Sequence, residues 1–242
     1  LLLMNRAHNS NQVRNSVALL QNGGFSNIST DLIFGIPNQT DESIQSHLQW
    51  LAQNNIPHIS CYALTVEPKT KLDHQIKSLK MQGVDNDQQA RQFLLVHDEL
   101  TKAGYQHYEI SNYSLPGMKS KHNSSYWEGK PYHGYGPSAH SYNGQNIRQW
   151  NVANNAIYIN SMFDGKPIYE TETLEPSQQF NEYVMTRLRT VEGIQLTELK
   201  TLFGEDKFHY FQTEIHQHIE SKKLVATETH VCLTREGMLY AD

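Results

Sequence analysis

ISTDLIFGIP, residues 28–37, is the stretch from which the fold is read. β-Branched and polar side chains run into an apolar end that Gly35 and Pro37 close, which predicts a strand over residues 28–33 followed by a turn. Upstream, Ser10 precedes Val13, Val17 and Leu20, spaced as on one helix face, and Gly23-Gly24 stops that helix. Downstream, Thr40 caps a second helix with Asp41 and Glu42 in its first turn and Ile44, Leu48 and Leu51 on one face. Residues 59–64 predict a second strand, running into Thr65, Glu67 and Pro68. Asp85 caps a third helix that carries Phe93, Val96, Leu100 and Ala103 and ends at Gly104. Residues 105–110 predict a third strand. Helices and strands in alternation predict an α/β fold on a parallel sheet.

The 242 residues suffice for one large domain or a domain with an appendage. With 38% apolar residues and a mean hydropathy of −0.63, the chain is expected to be soluble and globular. No apolar run approaches the ~20 residues that span a bilayer. LLLM at the start, followed by Asn5 and Arg6, lacks a signal-peptide pattern. A net charge of −5 without a basic cluster gives nucleic-acid binding little electrostatic support. Cys61 and Cys232 make neither a disulfide framework nor a CxxC metal site, which points to the reducing cytoplasm.

Past the third strand lies HNSSYWEGKPYHGYGPSAHSY, residues 122–142, with three histidines, four tyrosines and a tryptophan among glycines and prolines. Aliphatic periodicity is absent, so a loop is predicted rather than a core strand or helix. Such a loop either closes over a flat or polar ligand or is a surface loop held by its own stacking. Gly134-x-Gly-x-x-Ala139 outlines a dinucleotide fingerprint, but that needs a helix next, and Ser141-Tyr142-Asn143-Gly144 is a turn. His107, Glu109, His122 and His140 have the atom types of a metal site, but their irregular separation argues against one.

Residues 152–163 predict a helix, and Thr173-Leu174-Glu175-Pro176 resembles a linker. Beyond it Phe180, Tyr183, Val184 and Leu188 mark a helix, residues 196–203 and 208–222 two more, and residues 224–233 a hairpin. Three helices and a hairpin outline a winged-helix module over residues 176–242. Its last helix carries Glu214 and Glu220 beside Lys207, Lys222 and Lys223, so no basic face forms and a nucleic-acid module stays a third reading, with protein contact preferred.

HNxxYW (His122, Asn123, Tyr126, Trp127) and GxGxxAHS (Gly134, Gly136, Ala139, His140, Ser141), preceded by HYEISNYSLPG at 107–117, resemble the oxygen-independent coproporphyrinogen III oxidase family of radical S-adenosylmethionine proteins. Within it they are most similar to the haem-chaperone branch, and the similarity runs over essentially the whole chain. The resemblance implies the C-terminal part of a radical S-adenosylmethionine (β/α)6 partial TIM barrel, residues 1–175, followed by a small helical winged-helix-like domain, residues 176–242. The family's CxxxCxxC loop is not in this sequence, so the [4Fe–4S] ligands are expected in a preceding segment of a longer protein. The chain alone is expected to be unable to reduce S-adenosylmethionine.

The resemblance also implies sites. Asp31 of the DLIxGxP motif, Arg6 and, more weakly, Thr65 fall where the family binds S-adenosylmethionine, and His140 lies on the same cofactor's side of the cavity. A carboxylate suits a ribose diol and a guanidinium suits a carboxylate or ribose oxygens, whereas a local cap or a solvated helix charge would explain the same residues without a ligand. His122 is the implied axial ligand of haem iron, Asn123 its support, and Tyr126 and Trp127 faces for the porphyrin. A hydrogen-bonded His122 and a core Trp127 are the competing description. No catalytic residue is implied. The implied function is a cytoplasmic haem chaperone that binds haem and passes it to haem-receiving proteins, with no nucleic-acid partner and no membrane span. The alternative is oxidative decarboxylation of coproporphyrinogen III to protoporphyrinogen IX, and HNSSYW favours the chaperone.

Overall fold

The computed structural model describes residues 6–241. By contact the chain divides into two compact units, one extending to Lys119 and the other starting at Ser120. The expected start of the C-terminal module, at residue 176, lies inside the second, at the first residue of a helix.

The first unit comprises α1 (Ser10–Asn22), β1 (Ser29–Phe34), α2 (Asp41–Gln53), β2 (His58–Ala63), α3 (Lys71–Lys77), α4 (Asn86–Lys102), β3 (Gln106–Glu109) and β4 (Asn112–Ser114). Thr40 and Asp85 cap α2 and α4 as their hydrogen-bonding side chains dictate. The cap of α1 is Asn9 rather than Ser10: its side chain accepts from Gln12 N–H while Gln12 answers on the Asn9 N–H. Ile44, Leu48 and Leu51 of α2 and Val96 and Leu100 of α4 bury against Phe34, Ile59 and Cys61 of the sheet. That periodic burial is the main stabilising term of the unit.

The sheet order is β1-β2-β4-β3, and only β1 and β2 pair in parallel. The expected all-parallel sheet is thus corrected. β3 does run in the direction of β1 and β2, but β4 lies between β2 and β3, antiparallel to both. The tight turn after Glu109 folds the chain straight back into that slot, and Asn112 donates to the Glu109 carboxylate across it.

Three glutamines of α4 hold the loops that follow β1 and β2. Gln92 is wholly buried; it accepts from Gly35 N–H at 2.8 Å and donates to the Gln39 carbonyl at 3.0 Å. Gln88 donates to the carbonyls of Ile36 and Gln39, and Gln89 to that of Leu64. Gly35 is needed here, because its φ is +73° and a Cβ would lie 2.4 Å from the Gln89 side chain. The amides satisfy main-chain groups that no helix or strand reaches.

The second unit comprises α5 (Lys121–Trp127), β5 (His140–Tyr142), β6 (Ile147–Asn151), α6 (Asn155–Phe163), β7 (Tyr169–Thr173), α7 (Pro176–Leu188), β8 (Ile194–Gln195), α8 (Leu196–Glu220), β9 (Leu224–Ala226) and β10 (His230–Leu233), closed by a 3-10 turn, Gly237–Tyr240. β5, β6 and β7 form an antiparallel meander. α7, α8 and the sheet β8-β10-β9 enclose a second core of Phe180, Ile194, Leu199, Phe211, Ile215, Leu224 and Val231. Gly204, at φ +80° and ψ 177°, breaks α8 into the two helices expected from sequence. The chain around 122–142, expected as a loop, instead contains α5 and β5, because Ser120 caps a helical turn ahead of the first glycine.

His107 is a buried residue of β3, stacked on Tyr113 with centroids 4.1 Å apart. Its Nε2 lies 3.0 Å from the Ile110 carbonyl, which only accepts, so Nε2 carries the hydrogen and Nδ1 accepts from His97 Nδ1 at 2.9 Å. Burial, with the His97 charge as a lesser cause, pushes the imidazole down to about 4 from 6.5. The folded state therefore resists protonation that the unfolded chain accepts. The associated stability is complete above pH 6.5 and is lost as pH falls from there to 4, on the order of 3 kcal/mol in all. Urea unfolding across this window is expected to show that slope, flattened in His107→Phe; an unchanged slope in the variant would contradict the assignment.

Candidate functional site

The expected cofactor residues of the first unit are all exposed. Asp31 stands mid-strand in β1, opposite Ser60, rather than at the carboxyl end of the strand. Thr65 follows β2 by two residues, on the loop that Gln89 fixes through the Leu64 carbonyl. Arg6 precedes α1 and is not helical. Among the described residues neither Asp31 nor Arg6 forms an ion pair, so both charges are available to a ligand.

Cluster chemistry finds no donor set here. Burial pushes the Cys61 thiol well above its ordinary range, and Cys232, raised for the same reason, belongs to the second unit. Two thiols of this kind do not make a cluster site. No group of three or more His, Cys, Asp or Glu among the described residues could hold a metal ion. His107 points its nitrogens at Ile110 and His97, as a core histidine does.

The second unit carries the aromatic motif. Ser120 Oγ accepts from Asn123 N–H at 3.2 Å and sets α5 going. Residues four apart on a helix share a face, so His122 and Tyr126 form one pair and Asn123 and Trp127 another. The first pair is exposed: Tyr126 Oη lies 3.2 Å from His122 Nε2, with the rings edge to face at 4.9 Å. The second is half-buried, and the guanidinium of Arg189, at the end of α7, covers the Trp127 ring at 5.0 Å. Asn123 contributes its backbone to the cap, and the partner of the imidazole is Tyr126, not Asn123.

From Tyr126 the aromatic contacts continue. Tyr132 meets Tyr126 edge to face at 4.8 Å and lies 6.3 Å from Tyr142. Burial pushes both phenols up, and the nearby Arg148 charge opposes this. Tyr132 pairs with Tyr142 across an isolated bridge, and Tyr142 pairs with Arg148. Residues directly opposite in adjacent strands share a sheet face, so Tyr132, Tyr142 and Arg148 stand side by side. Arg148 in turn is ion-paired with Glu182 of α7. Tyr132, Tyr142 and Arg148 escaped the sequence reading; Tyr132 and Tyr142 lie in the quoted aromatic stretch, but Arg148 had no signal of its own.

His140 opens β5, exposed, its ring 5.9 Å from that of the opposite Trp150. The GxGxxA segment serves the close approach of two backbones, since a Cβ on Gly134 would lie 2.1 Å from the His140 carbonyl oxygen. Asn151 ties it down by donating to the carbonyls of Gly134 and Gly136. Ser141 and Tyr142, expected in a turn, belong to β5, and no helix follows the segment directly.

Residues 174–240 match the HemN C-terminal domain family. Haem chaperone HemW of Lactococcus lactis is 31% identical over 96% of this chain and 61% of its own length. Haem chaperone HemW of Bacillus subtilis is 30% identical over 98% of this chain and 62% of its own. The chain is thus a relative of the HemW proteins, and residues 174–240 belong to the HemN C-terminal domain family. In fold it is similar to the coproporphyrinogen III oxidase HemN of Escherichia coli, with a TM-score of 0.78 at 19% identity, over 99% of this chain and 58% of that one. The chain spans about six-tenths of the length of these curated HemW relatives, at 61% and 62%. The α/β portion is open, its β1-β2-β4-β3 sheet being four-stranded, as a partial member of this fold should be. No described helix is long and apolar enough to cross a membrane.

Proposed function

We propose that this chain forms the haem-handling part of a haem chaperone, with His122 as axial ligand of the iron and Tyr126 beside it against the porphyrin. The observation that carries the reading is the exposed His122–Tyr126 pair at the head of the aromatic row. An imidazole supplies the iron's ligand and phenol rings supply flat apolar contact. The names of the relatives support a chaperone over an oxidase, because the haem chaperones are 31% and 30% identical to this chain, whereas the oxidase of similar fold is 19% identical. Trp127 and Asn123 serve as the anchored face of α5 that keeps the other face outward. Haem-receiving proteins complete the proposed partnership, in the cytoplasm.

Adding haem to the wild-type chain is expected to give a shifted Soret band, lost in His122→Ala while far-UV dichroism stays unchanged. Trp127→Ala is instead expected to lower stability by about 2 kcal/mol, from lost packing and cation–π contact. A folded His122→Ala protein with the wild-type Soret band would overturn the assignment.

The exposed Asp31 and Arg6, which form no ion pair among the described residues, support a second proposal, that they bind S-adenosylmethionine, with Thr65 alongside. The cofactor would supply radical chemistry only beside a cluster, for which this chain has no ligands. In the longer protein with its cluster, Asp31→Asn is expected to weaken binding by about 1–3 kcal/mol in calorimetric titration. Equal affinities would make Asp31 a structural residue.

A further inference from the structure

The aromatic row does not end in apolar side chains; it ends at a guanidinium. His122, Tyr126, Tyr132 and Tyr142 follow one another with ring centroids 4.9, 4.8 and 6.3 Å apart. Arg148 is the cross-strand neighbour of the last of them. A flat ligand with its metal at His122 would extend along this row toward Arg148. From this juxtaposition we infer that Arg148 binds a propionate of haem, so that the row has an iron end and a carboxylate end; the inference rests on the haem reading of His122.

Three observations support it. The Arg148 side chain is 37% exposed, close enough to the surface to meet a ligand and buried enough for a charge-assisted hydrogen bond to count. Glu182 engages it through Nη2, and among the described residues no second side chain bonds its remaining N–H groups. A guanidinium has five such donors in a fixed fork, more than one carboxylate uses. The charges around it set the terms of binding. Glu172 lies opposite Arg148 on β7, and Glu182 faces it from α7, so the local sum is negative. A propionate therefore competes with Glu182 for the fork. Glu182 is expected to guard the site in the empty protein and to yield on binding.

The test compares haem with haem dimethyl ester, which keeps iron and macrocycle but has no carboxylate, by Soret titration of the full chain. Wild type is expected to bind haem about tenfold more tightly than the ester, the worth of one charge-assisted hydrogen-bonded pair. Arg148→Gln is expected to remove that preference while leaving affinity for the ester within about twofold. Glu182→Gln, which removes the competing acid, is expected to tighten haem and leave the ester unchanged. Equal wild-type affinities for the two ligands would overturn the inference even if Arg148→Gln failed to fold. Equal loss of both ligands in a folded Arg148→Gln would overturn it too, as the mark of a structural role. Failure of the underlying reading has a different signature: His122→Ala would leave the Soret band of haem and ester alike intact, or neither ligand would bind.

Discussion

One hydrogen bond, from the Asn123 N–H to the Ser120 hydroxyl, sorts the motif at the centre of the second unit. It starts a helix of seven residues, and helical geometry then separates His122 and Tyr126 from Asn123 and Trp127. Were the segment extended, His122 and Tyr126 would lie about 13 Å apart along the strand, out of reach of each other. The helix instead puts an imidazole and a phenol in contact on the outside and hides an indole under Arg189. Exposure of the first pair depends on burial of the second, because a two-turn helix is too short to persist unsupported.

The first unit solves a different problem by the same means. Its exposed Asp31 and Thr65 sit on or just past parallel strands whose following loops have main-chain groups turned inward. Three glutamines, two adjacent and the third a turn further along α4, satisfy those groups, and Gly35 admits the closest of them. Side-chain amides suit this work because each offers both donors and an acceptor and carries no charge to desolvate. Rigid loops at the carboxyl side of parallel strands are where α/β folds place ligand contacts.

The helices with strong caps and an aliphatic stripe, α2 and α4, were legible residue by residue, and so was the break of α8, since a glycine between two periodic stretches marks it. The meander β5–β7 was not. Its strands are nowhere deeply buried, so selection for a core leaves no alternation to read. β4 was missed because three residues after a tight turn carry no period, and its insertion turned the expected parallel sheet into a mixed one. For the site, the residue types were legible but their grouping was not. Once residues 121–127 are helical, the four-residue spacing alone pairs His122 with Tyr126; read as a loop, Tyr126 and Trp127 look equivalent. Arg148 became visible only through strand register, which no local pattern encodes.

Amide hydrogen exchange of the full chain, with and without haem, tests the location of the site most directly. The account predicts slowed exchange in residues 121–151, from α5 through β6, with the segments around His122 and Arg148 protected together. Protection confined to residues 6–119, or to α8 and the strands after it, would contradict it.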